Sequence, residues 1–163
     1  MTFEASLGGL IKAGVIKKCP SDRRAASKLL LRAAIDLRTA GRNLDHDPEC
    51  TFTYSYTAMM RSGLALMFNR GYRPAAVNKH QTIVQFVFVA MNAKYQKAFE
   101  GFDLLRSKRN RFIYEPDLPC SRAEAKGALE IAKQFVQVMN EIIDLENGQS
   151  KLGFDEQKKN KNL

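Results

Sequence analysis

Proline falls at only five positions, 20, 48, 74, 116 and 119, and the stretches between them repeat apolar residues three or four apart. A proline inside a helix removes a hydrogen bond and clashes with the preceding turn, so these positions bound where helices can run. Apolar residues at that spacing share one face of a 3.6-residue helix. The pattern predicts six helices.

A short one covers about Phe3 to Lys12, closed by Gly14. A long one starts at Ser21 or Asp22, either of which can cap an orphan backbone N–H. It runs to about Leu44, with Ala26, Leu29, Leu30, Ala33, Leu37, Ala40 and Leu44 on its apolar face. A third covers about Cys50 to Asn69, with Phe52, Tyr56, Met59, Met60, Gly63, Leu66 and Met67 inward, and ends at Gly71. A fourth runs from about Asn78 to Met91. It is almost wholly apolar between Ile83 and Met91 and is expected deep in the bundle. Val84, Phe86, Val87 and Val89 would also suit a strand, but no partner strand is evident, so helix is preferred. A fifth runs from about Lys94 to Phe112 with Tyr95, Phe99, Phe102 and Leu105 inward, stopped by Pro116. The last opens on Ser121-Arg-Ala-Glu124, the signature of a reciprocal cap. It continues through Ala128, Ala132, Phe135, Met139, Ile142 and Leu145 to Gly148. The expected fold is all-α: an up-down antiparallel bundle of four long helices, with a short buried helix and a short N-terminal one.

A chain of 163 residues fits one domain with a core of its own. The bundle is expected over 1–150, with 1–20 as an N-terminal extension. The Lys- and Asn-rich residues at 151–163 are expected to form a basic, disordered tail. Cys19, Cys50 and Cys120 are far apart and odd in number, and neither His sits at a metal-ligand spacing from them. No disulfide framework, metal or cofactor is expected, and a reducing cytoplasm suits the thiols. Met1 to Lys18 lacks the order of a secretion signal, because its charges follow the apolar stretch. The longest apolar runs are too short to span a bilayer, so no membrane association is expected.

The net charge is +9, and the pI is about 9.6. That surplus favours polyanionic partners, though it also serves solubility. Nucleotide-binding loops, nucleophile elbows and the zinc-protease helix motif are all missing. The strongest cluster is Arg106, Lys108, Arg109, Asn110 and Arg111, beside Tyr114. Arg106 and Arg109 are three apart and share a helix face. Two guanidinium groups and an amide can grip a phosphate. Cations at a helix C-terminus also answer its dipole, which is the ordinary structural explanation. His80 opens the apolar helix, where packing or capping is the usual role. His46 lies in a loop composition and is expected in solvent. Tyr54 and Tyr56 read as core residues. Ser55 and Thr57 have no adjacent base, so nucleophilic catalysis lacks support.

Three stretches together resemble the HEPN family, named for nucleotide binding in higher eukaryotes and prokaryotes. The likeness covers about Lys28 to Glu146. The run Leu29 to Arg42 is similar to that family's first core helix. Tyr54 to Met67, Gly71 and His80 to Phe86 are similar to its second helix, glycine turn and following His. Arg109-Asn110 with Tyr114-Glu115-Pro116 resembles its Arg-polar motif. The resemblance implies a homodimer with two Arg motifs facing across a cleft. It also implies a metal-independent ribonuclease of the toxin type, often paired with a nucleotidyltransferase antitoxin.

Carried over, Arg109 stands for the motif Arg and Asn110 for its polar neighbour, but Tyr114 stands near the place of the motif His. Arg106, Lys108 and Arg111 become candidate phosphate or RNA ligands. Tyr has a pKa near 10 and is a poor base at neutral pH, where His is suited. His80, or its copy from a second chain, is the remaining base. Two functions follow. One is an RNA-cleaving or RNA-binding protein acting through Arg109. The other is a non-catalytic module docked on a nucleotidyltransferase or another partner, with Tyr114 as an acceptor for nucleotidylation. DNA binding by a helix-turn-helix ranks last, because no recognition-helix pair stands out.

Overall fold

The computed structural model describes residues 3–75, 79–91, 93–115 and 117–148. The tail at 151–163 lies outside the described residues, as do Asn78 and Pro116.

The chain is an all-α bundle. Helix α1 spans Phe3–Lys12, α2 Arg23–Asn43, α3 Pro48–Asn69, α4 Lys79–Ala90, α5 Gln96–Tyr114 and α6 Arg122–Glu146. A 3₁₀ turn, Ala93–Tyr95, precedes α5. Local chemistry sets the ends. Asp22 caps α2 by accepting from the Ala25 N–H at 2.8 Å, and Asp47 caps α3 at Cys50. Helix α3 begins at Pro48, two residues earlier than expected, because proline at the first turn loses no helical hydrogen bond. The reciprocal cap of Ser121 and Glu124 forms at the start of α6.

The expectation that the chain holds no partner strands needs correction. Strands β1, Ile16–Lys18, and β2, Tyr72–Pro74, form a short antiparallel ladder pairing Ile16 with Pro74 and Lys18 with Tyr72. Three residues are too few to leave a period-two signal in the sequence. The ladder closes on Gly71, whose φ of +76° suits glycine. A Cβ there would lie 2.6 Å from the Cys19 carbonyl oxygen, while the Cys19 N–H donates to the Gly71 carbonyl at 2.9 Å.

The four long helices alternate in direction. Thr51 bonds the Ala40 carbonyl and Arg61 pairs with Asp36, so α2 and α3 are antiparallel. Phe52 meets Phe112 and Tyr56 meets Arg109, so α5 opposes α3. Arg111 reaches Glu124 and Gly101 faces Ile131, so α6 opposes α5. Helix α4 is the exception. It runs parallel to α3, with His80 beside Tyr56 and Ile83 and Val87 against Gly63. The turn at Gly71 and the extended β2 return the chain far enough to make this parallel pass.

The core centres on Phe86, Phe102 and Phe135, none of which has exposed surface. Burying each such side chain contributes about 1.5–3 kcal/mol. Phe102 packs against Phe135 in a tilted ring contact, centroids 4.7 Å apart. Three expectations are corrected at the edges. Helix α4 is only half buried, because Phe88 is 56% exposed although Phe86 and Val87 are sealed. Leu145, expected in the core, is exposed near the end of α6, beyond the last packed turn. Tyr54 also faces solvent, on the opposite side of α3 from Tyr56.

Candidate functional site

Helix α3 carries Thr53, Tyr56, Thr57, Met60, Arg61 and Leu64 at spacings of three and four, so they share one face. The N-terminal turn of α4 brings Lys79, His80 and Ile83 alongside that face. Helix α5 adds Arg109 from its antiparallel pass. Together these residues line a cavity of about 360 Å³. Gly63 permits the assembly, because a Cβ there would approach Ile83 to 2.9 Å and push α4 away.

Tyr56 is the common wall. The Arg109 guanidinium carbon lies 5.6 Å from its ring centroid, within cation–π range. The His80 ring centroid is 6.1 Å from the same ring. Desolvation against the wall lowers the His80 pKa below its ordinary value, and the Arg109 charge lowers it further. The residue nevertheless keeps a solvent-facing side. At neutral pH the imidazole is therefore neutral, with a nitrogen free of its second proton. Burial raises the Tyr56 pKa, against the pull of Arg109 and Arg106. Its phenol stays protonated and can donate a hydrogen bond.

Arg61 closes one side of the cavity. One of its N–H groups donates to Asp36 on α2. Asp36 is 2% exposed. Burial raises its pKa, opposed first by Arg61 and more weakly by Arg32. Guanidinium has five N–H groups in a fixed fork, so pairing with Asp36 leaves donors for a second anion. Among the described residues, Arg109 and Lys79 have no carboxylate partner. The cavity thus holds a neutral base, a phenol donor and an excess of positive charge. Among the described residues, no three His, Cys, Asp or Glu side chains are grouped to hold a metal ion.

The basic cluster read from the sequence divides in three directions. Arg109 turns into the cavity. Arg106 binds Asp103 at 2.8 Å and lines a separate groove with Phe88 and Phe99. Lys108 and Arg111 turn to α6, where both reach Glu124, at 3.6 and 2.8 Å. Their partner is the acid of the α6 cap, so they tie α5 to α6. Asn110 is exposed beside Arg109. Tyr114 is 79% exposed at the last position of α5. It is five residues from Arg109, which on a helix points it elsewhere. Of the residues singled out in the sequence, the cavity gathers Arg109 and His80.

Tyr56, Arg61 and Lys79 join them without having been foreseen as site residues. The signal for α3 was present in the polar positions Thr53, Thr57 and Arg61, four apart beside the apolar stripe. No family model, curated protein or solved structure matches the chain. No helix among the described residues is long and apolar enough to cross a membrane.

Proposed function

We propose that the protein binds RNA at the Arg109–His80 cavity and cleaves it without a metal ion, as a HEPN-like protein of the toxin type. The observation that carries this reading is the convergence of unpaired Arg109 and neutral His80 on Tyr56. Cleavage by the neighbouring 2′-hydroxyl needs a base for its proton and donors for the charge that develops on phosphorus. His80 takes the proton as the 2′-oxygen attacks. Arg109 stabilises the phosphorane oxygens. The 5′-oxygen leaves and takes up a proton from solvent or from the protonated imidazole, leaving a 2′,3′-cyclic phosphate. In this reading His80, from a different helix, does what the His of the family motif would do, and Tyr114 has no part in the chemistry.

A homodimer on the family pattern would set two such cavities across a two-fold axis. The exposed Tyr114, which ends α5, and Leu118, in the connection to α6, offer apolar surface for that contact. The non-catalytic alternative, docking on a nucleotidyltransferase, rests on the same exposed Tyr114.

The test is incubation of total RNA with wild type, Arg109→Ala and His80→Ala in the presence of chelator. Cleavage by wild type alone, with cyclic phosphate ends, is expected. Intact RNA with wild type at low salt would rule out the enzyme. Wild-type cleavage retained in His80→Ala would remove the base assigned to it.

A further inference from the structure

Helix α2 presents a second basic feature that the cavity does not use. Its outward face carries Arg24, Lys28, Arg32, Arg38 and Arg42, all exposed. The one acid in the helix, Asp36, is buried and turned to Arg61. Among the described residues, none of these five cations has an ion-pair partner. A solvated face normally mixes both signs. This one carries a single sign from Arg24 to Arg42, about 27 Å at 1.5 Å per residue.

The face is tied to the cavity wall through Asp36. Arg32 is close enough to Asp36 to lower its pKa, and Asp36 holds Arg61 in the cavity wall. Asp36 thus stands between two groups of cations, Arg109, Lys79 and Arg61 at the cavity and Arg32, Lys28 and Arg24 on α2. Arg24, Lys28 and Arg32 are four apart, about 6 Å along the axis at each step. Leu31, 66% exposed, and Ile35, 37% exposed, sit among these cations. A nucleic-acid duplex offers such aliphatic side chains only phosphates and sugars. A single strand also offers base faces.

We propose that the outer face of α2 is a track for single-stranded RNA running out of the cavity. On this view Arg61 is the link, Arg24, Lys28 and Arg32 neutralise flanking phosphates, and Leu31 and Ile35 contact unstacked bases. This rests on the RNA reading of the cavity and adds to it the class of substrate: a strand several nucleotides longer than the cavity holds. All five cations are exposed, so their replacement leaves the core intact.

The experiment measures anisotropy of fully 2′-O-methylated oligouridylates, which cannot be cleaved, of 3 and 15 nucleotides. Binding is followed from 50 to 200 mM salt. The proteins are wild type, Arg109→Ala and the triple variant Arg24→Gln/Lys28→Gln/Arg32→Gln. Wild type is expected to bind the 15-mer at least ten-fold more tightly than the 3-mer. Each phosphate neutralised on a single strand contributes about 0.7 to the slope of log K against log salt. The triple variant is thus expected to lower the 15-mer slope by about 2 and leave 3-mer binding unchanged. Arg109→Ala is expected to weaken both. An unchanged 15-mer slope in the triple variant overturns the track while leaving the cavity reading intact. Failure of wild type to bind either length overturns both. A polyglutamate 15-mer that binds more tightly than the RNA, and loses that binding in the triple variant, replaces RNA with an acidic protein as the occupant.

Discussion

Arg61→Ala isolates the electrostatics of the cavity wall. Asp36 is 2% exposed, and its carboxylate faces Arg61, whose own side chain is 31% exposed. Burial raises the Asp36 pKa above its ordinary value even with Arg61 present. The folded state thus favours the protonated acid more than the unfolded chain does. Stability from this group is complete below the unfolded pKa and declines as pH rises through the folded one. Removing Arg61 deletes the main influence holding that pKa down and leaves a buried carboxylate unpartnered at neutral pH. Breaking a buried pair in this way costs about 3–5 kcal/mol. The open side of Arg61 lets water reach the vacated space, so the lower end, about 3 kcal/mol, applies here. Protonating Asp36 removes the unpartnered charge, so the cost is expected to be smaller at pH 4 than at pH 7. Urea denaturation followed by circular dichroism at pH 4 and pH 7 measures both values. Asp36→Asn, which keeps an acceptor for Arg61 without the charge, is expected to cost less than Asp36→Ala at pH 7. A loss for Arg61→Ala that is equal at the two pH values would refute the reasoning, because lost packing does not titrate.

Phe102→Ala empties a site of no exposure between Phe135 and Tyr56, and should cost about 3–5 kcal/mol. At about 2–4 °C per kcal/mol, the melting temperature falls by roughly 10 °C, readable by calorimetry. Gly71→Ala forces a Cβ to 2.6 Å from the Cys19 carbonyl oxygen at a φ of +76°, so a loss above the ~1–2 kcal/mol of left-handed strain is expected. A smaller loss on urea denaturation would mean that the ladder yields. Ser121→Ala removes one half of the α6 cap and should cost about 1 kcal/mol, checked in the same assay. If the cavity cleaves RNA, the depressed His80 pKa places the acid limb of the pH–rate profile below the ordinary histidine value, with a plateau by neutral pH. Replacing Arg109 with Gln removes the nearby cation and moves that limb upward in whatever activity remains. A limb that stays put would dissociate His80 from Arg109.

Helix number, order and most boundaries were legible because they depend on chemistry within a few residues. The aspartate cap at 22 and the Ser121–Glu124 pair act locally, whereas the Asp47 cap and Pro48, which open α3 two residues before its expected start, were passed over. The stripes that include Ala33, Met59, Phe102 and Phe135 repeat at a period that only a helix satisfies. What escaped was set by contacts distant in the chain. The β1–β2 ladder joins segments more than 50 residues apart, and neither shows its pairing alone. Arg106, Lys108, Arg109 and Arg111 look alike in sequence. Which of them faces a cavity and which faces Asp103 or Glu124 depends on the rotation of α5 against α3 and α6. The buried bond of Asp36 to Arg61 and the parallel pass of α4 that carries His80 to Tyr56 are likewise tertiary. That the chain makes basic amphipathic helices follows from the order of its residues alone, since period and capping are properties of neighbours. Only the folded bundle decided that Arg109 meets a neutral His80 across Tyr56, since that meeting requires three helices and the turn at Gly71 to be in place together.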